Sequence, residues 1–116
     1  MRMRLNIPGG WAVTYNQFMD ENPVIEDGKI ANWDVYKEDL LQISKLEIQD
    51  GWHQIPDLIL MIDLGFYPEA DPEGNFRLVL TKVDKIGDTG WQEIEEFESK
   101  DRFAVRDKIE QWMQQH

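Results

Sequence analysis

The chain contains no cysteine, only two histidines, and 12 basic residues against 23 acidic ones. Without cysteine there is no disulfide framework, no thiolate zinc site and no cysteine nucleophile. His116 is the last residue, and His53 stands between Asp50 and Asp57 in a stretch that reads as a loop. Neither has a second histidine three or four residues away, so the helical zinc spacing is missing. No apolar run approaches the ~20 residues that a membrane helix needs. The longest, Leu58 to Ile62, is the length of a strand. Met1-Arg2-Met3-Arg4-Leu5 passes into Pro8-Gly9-Gly10 with no apolar segment between, so neither a secretory signal nor a membrane location is expected, and the expected compartment is the cytoplasm. The shortage of Lys and Arg leaves a sequence pI near 4.4. That argues against nucleic acid as the main ligand, because phosphate recognition needs clustered cations.

What the chain does have is a net charge of -11 together with five Trp, five Phe and three Tyr among 116 residues. A disordered acidic tail lacks such aromatics. The combination predicts one folded domain over 1–116, with enough apolar residues for a single core. Excess charge of one sign opposes compaction but aids solubility and steers a partner of opposite sign.

Local patterns predict mostly strands. Leu5 and Ile7 alternate with polar neighbours, and Trp11, Val13 and Tyr15 do so again after the Pro8-Gly9-Gly10 turn. Residues 19–32 are rich in turn formers and read as loop. Asn32 to Ile48 is compatible with helix or strand. The reading taken is a helical turn near Trp33 to Tyr36, capped by Asn32, then a strand through Leu41 and Ile43. Asp50-Gly51 marks a turn. Leu58 to Ile62 is apolar on both faces, as a central strand is, and continues in phase to Tyr67 before Pro68 ends it. Asp71-Pro72-Glu73-Gly74 suits a type I turn. Phe76, Leu78 and Leu80 alternate on the return strand, and Trp91, Ile94 and Phe97 suggest an irregular edge strand. A final helix is expected, with Ser99 as N-cap, Asp101 in its first turn, and an apolar stripe of Val105, Ile109, Trp112 and Met113. The fold class is therefore α+β: an antiparallel sheet of about five or six strands with a C-terminal helix packed on one face.

Motifs for catalysis are missing. Ser44 and Ser99 do not stand in the G-x-S-x-G turn of a serine hydrolase. Asp71, Glu73 and Asn75 resemble the start of a calcium loop. Phe76 then stands where that loop needs glycine, and Lys82 where it needs glutamate. Gly9-Gly10 and Gly87 to Gly90 lack the lysine and spacing of a phosphate loop. No cofactor, metal or enzymatic activity is expected.

The remaining signal is acidic residues beside aromatics. Trp33, Asp34 and Tyr36 with Glu38 and Asp39 form one group. Tyr67, Glu69, Asp71 and Glu73 form a second, next to Phe66. Glu93 and Glu95, with Trp91, Glu96 and Glu98, form a third. Aromatic anchors ringed by charge suit a protein interface; aromatics also build cores, and acids also solvate outer faces.

Several stretches resemble the immunity proteins that accompany polymorphic or contact-dependent growth inhibition toxins in bacteria. They are Asn6 to Trp11, Glu38 to Ile43, Asp63 to Gly74 and Phe97 to Phe103. The resemblance implies a cytoplasmic α+β protein that binds and neutralises one cognate toxin, often a basic nuclease. The site assignments rest on the residues themselves: Trp33, Asp34, Tyr36, Tyr67, Glu69, Asp71, Glu73, Glu93 and Glu95 as partner-binding positions. The expected oligomeric state is a monomer or weak homodimer. Two alternatives stand beside this reading: a small carboxylate-dependent hydrolase, and a self-associating structural module.

Overall fold

Alternation of apolar and polar residues makes strands the commonest element of this chain, and a computed structural model describes residues 1–54, 58–84 and 91–116. Asp57, Gly87 and Gly90 lie outside the described residues. In chain order the elements are β1 (Trp11–Asn16), β2 (Ile25–Glu26), β3 (Lys29–Ile30), a 3-10 turn (Trp33–Val35), β4 (Leu41–Lys45), β5 (Glu47–Gln49), β6 (Trp52–Gln54), β7 (Leu58–Tyr67), β8 (Asn75–Asp84), β9 (Trp91–Ser99) and α1 (Arg102–Gln115). Five strands form one antiparallel sheet in the order β1-β4-β7-β8-β9, while β2-β3 and β5-β6 are separate two-stranded hairpins. The fold is α+β, as expected, with five strands in the main sheet.

The period of two divides that sheet into two unlike faces. Leu41, Leu64, Leu78 and Phe97 lie in one cross-strand row, and Ile43, Ile62 and Leu80 in the next. All but Phe97 are buried. Onto this face packs the apolar stripe of α1, whose Val105, Ile109, Trp112 and Met113 are all buried. Each such apolar side chain contributes about 1.5–3 kcal/mol through removal from water. At one end of the face Phe18, Tyr36, Phe66 and Phe76 meet mostly edge-on, with ring centroids 5.0–5.8 Å apart. Trp11 on β1 donates its indole N–H to the carbonyl of Met113, 3.2 Å away. This satisfies one of the carbonyls that a helix end leaves free.

Five local expectations are corrected. Leu5 and Ile7 lie in no strand; the backbone N–H of Asn6 donates instead to the Glu110 carboxylate on α1. The region 19–32 is not loop throughout, because Asp27 and Gly28, both with positive φ, turn the β2–β3 hairpin. Asn32 precedes the 3-10 turn without capping it. Its amide is engaged by the Val24 N–H and the Asn22 carbonyl, which tie off the neck of that hairpin. The helix cap is Asp101, which accepts from the Phe103 N–H, whereas Ser99 ends β9 and accepts from the Asp101 N–H. His53, read as a loop residue, falls in β6. Among the described residues no helix is long and apolar enough to cross a membrane.

Candidate functional site on the outer sheet face

The odd-numbered positions of β7 and β8 point away from α1, and they carry a different chemistry. Gly65, Arg77 and Glu98 share one row; Gln42, Asp63, Val79 and Glu96 share the next; Ser44, Met61, Thr81 and Glu93 share the third. Glu93, Glu96 and Glu98 are exposed on β9, or nearly so, and Asp63 is half-buried on β7. Arg77 stands among them. Its Nη2 lies 2.8 Å from a Glu93 carboxylate oxygen, and its Nε and Nη2 approach the two oxygens of Glu96 at 3.2 and 3.3 Å. The fork grips one carboxylate with both arms and a second with one, a geometry that a lysine could not reproduce.

Two more acids reach this face from the segment before β4. The Lys37 carbonyl accepts from the Phe66 N–H and the Leu64 carbonyl accepts from the Leu40 N–H, at 2.7 and 2.9 Å, so residues 37–40 are tied along β7. This seats the Glu38 carbonyl over Gly65, where a β-carbon would come within 2.0 Å of that oxygen. The glycine is not in a turn; it is needed because backbone passes directly over the strand. Tyr67 closes the seat by donating its hydroxyl to the same carbonyl at 3.1 Å. Tyr67 remains 40% exposed, and Tyr15 on β1, paired with Gln42, is 42% exposed. A shallow depression lies beside Tyr15, lined by Thr14, Asp39 and Gln42.

Charge crowding is visible in the protonation equilibria. Burial pushes the Asp63 carboxyl above its ordinary range and nearby Asp39 adds to this, while Arg77 and the Leu64 N–H act the other way. The Tyr67 phenol is raised by burial and then by Asp63, Glu38 and Asp39. Glu96 is lowered, chiefly by its hydrogen bonds from Arg77. One face therefore holds carboxylates driven in opposite directions by burial and by a guanidinium.

The positions expected from the sequence are distributed unevenly around this face. Tyr67 and Glu93 lie on it, and Glu69 is at its rim, with a carboxylate oxygen 3.4 Å from the Glu38 N–H. Trp33 is 54% exposed on the 3-10 turn that leads into Glu38, with the Lys37 ammonium 4.9 Å above its ring, and Asp34 is exposed beside it. Tyr36 is not a surface anchor: it is 3% exposed, packs on Phe66 and donates to the Glu21 carbonyl. Asp71 is engaged in its own turn, accepting from the Glu73 N–H. Glu73 faces Lys100, and Glu95 faces His116 at the end of α1, so neither belongs to the Arg77 group. Asp63, Arg77 and Tyr15 escaped the sequence reading. Asp63 had a signal, since an acid inside an apolar central strand must be on its outward phase.

Comparison with known proteins finds no matching family model, no matching curated protein and no matching solved structure.

Proposed function

We propose that this chain is an acidic binding protein that neutralises a cognate bacterial toxin, a basic nuclease being the best fit, by covering its active site or substrate surface in the cytoplasm. The observation that supports this reading is the outer sheet face, where Glu93 and Glu96 engage Arg77, and Glu98 and Asp63 stand in the same and the adjoining cross-strand row. Glu38 and Asp39 add charge beside Asp63 and Tyr67, and the half-exposed Tyr15 and Tyr67 lie on the β1–β7 side of this group. A rigid sheet holds these carboxylates at fixed spacing, which suits the Lys and Arg of a nucleic-acid-binding cleft. Tyrosines give apolar contact at low conformational cost. A net charge of -11 adds long-range attraction, raising association toward roughly 10⁸ M⁻¹s⁻¹ at low salt.

The test is stopped-flow association with candidate basic nuclease toxin domains, together with rescue of growth on co-expression. Glu93→Lys with Glu98→Lys alters the outer face; Glu73→Lys with Glu95→Lys makes the same charge change away from it. The first pair is expected to slow association at least about tenfold at low salt, and the second far less. An on-rate that is flat between about 50 and 500 mM salt removes the electrostatic argument. Equal effects of the two pairs remove the outer face as the docking surface.

One observation favours a second reading, the carboxylate-dependent hydrolase. Asp63 is driven up and Glu96 down on one face, the divergence that acid–base pairs use. A tight divalent-metal isotherm abolished by Asp63→Asn would favour it over inhibition.

A further inference from the structure

We propose that the cavity between the β7–β8 turn and the start of α1 is a binding site for a short-chain aliphatic carboxylate. This site lies on the helix side of the sheet and does not depend on the function proposed for the outer face. Ile30, Phe66, Phe76 and Pro72 give it apolar walls, and Lys100 and Arg102 stand at the same opening. An apolar cavity of about 150 Å³ accepts benzene, so a volume of about 80 Å³ suits a branched alkyl body of roughly four carbons with its polar end outside.

Charge selects the polar end. On a chain of net charge -11 an anion is repelled from most of the surface, yet here two of the 12 basic residues converge on one apolar opening. The Arg102 guanidinium is held in place: Nε donates to Asp20 and Nη1 to Asn22, both at 2.8 Å. Nη2 has no acceptor among the described residues, so one donor of a pre-oriented fork is free for a carboxylate oxygen. Lys100 is 3.8 Å from Glu73, whose side chain is 90% exposed, and that loose pair yields readily to an anion seated closer.

The test is an NMR amide-shift titration of the intact chain with isovalerate, its neutral counterpart isoamyl alcohol and its cationic counterpart isoamylamine. Isovalerate is expected to saturate in the low-millimolar range, with the largest shifts at Ile30, Gly74, Phe76 and Arg102. The alcohol should bind about fivefold more weakly and the amine at least about tenfold more weakly. Lys100 is 58% exposed, so Lys100→Gln leaves the fold intact; it should weaken isovalerate about threefold while leaving the alcohol unchanged. Arg102→Lys would disturb the Asp20 anchor, which makes the Lys100 variant the informative one. Three results overturn the proposal: no saturation below about 50 mM isovalerate, equal affinity for acid and alcohol, or shifts centred away from the cavity.

Discussion

Adding one methyl group at Gly65 tests how the outer face is assembled. Inside a ten-residue strand, here at its eighth position, a glycine weakens the sheet, and replacing it by alanine ordinarily stabilises a protein by about 0.4–1 kcal/mol by restricting the unfolded chain. Here the new β-carbon would stand 2.0 Å from the Glu38 oxygen, 2.6 Å from a Tyr67 ring carbon and 2.9 Å from the Glu38 carbonyl carbon. Two of those three atoms are backbone and cannot rotate away. Residues 37–40 must lift by more than 1 Å to restore ordinary contact, since about 3.4 Å is the start of normal carbon packing. Lifting them strains the Phe66–Lys37 and Leu40–Leu64 hydrogen bonds and removes that of Tyr67 to Glu38. Overpacking of this kind costs about 1–3 kcal/mol, and a lost hydrogen bond about 1 kcal/mol more. Even after the unfolded-state gain, Gly65→Ala should destabilise by about 2 kcal/mol. Urea unfolding followed by circular dichroism measures this. Gly9→Ala is the internal control, because a β-carbon added there would have nothing within 4 Å and the φ of Gly9 is not positive; it should fall within about 0.5 kcal/mol of the parent. If Gly65→Ala is neutral or stabilising, the crossing of residues 37–40 over β7 is wrong, and with it the placement of Glu38 and Asp39.

Other outcomes follow from the same packing. Trp112→Ala and Ile109→Ala should each cost about 2–5 kcal/mol in urea melts, because both side chains are at most 1% exposed; losses under about 1 kcal/mol in both would mean that the helix stripe is not buried. Asp101→Ala should cost about 1 kcal/mol and Ser99→Ala less, since the cap on α1 is the aspartate; the reverse order in thermal or urea melts would restore Ser99 as the cap. Asp63→Asn should stabilise the protein at neutral pH. Its folded carboxyl is raised above the ordinary value, so protonated Asp63 fits the fold best, and stability is lost as pH rises through the folded value. The benefit of asparagine should therefore shrink as pH falls toward 3.8, the ordinary value, and a benefit constant over that range would refute the assignment.

The stripe at Val105, Ile109, Trp112 and Met113 was legible because the helical period of 3.6 is a property of neighbours in the chain. So was the β7–β8 hairpin, whose alternation runs on both sides of Asp71-Pro72-Glu73-Gly74. The α+β class with one helix-covered face follows from these alone, since an apolar stripe and an apolar sheet face have to bury each other. The acidity too is composition, and it limits partners before any coordinate is known. Where acids sit beside aromatics in sequence, however, they do not sit together in space by that fact. Tyr36 turned inward because its ring completes the Phe18–Phe66–Phe76 cluster and its hydroxyl found the Glu21 carbonyl. Glu95 is parted from Glu93 because the irregularity opposite Leu80 and Thr81 resets the alternation of faces on β9, and Glu73 stays in the turn beyond β7, opposite Lys100. The group around Arg77 unites residues 38, 39, 63, 77, 93, 96 and 98 from separate segments. Only strand order and register bring such distant positions within charge range, and both are set by long-range pairing that no local window contains.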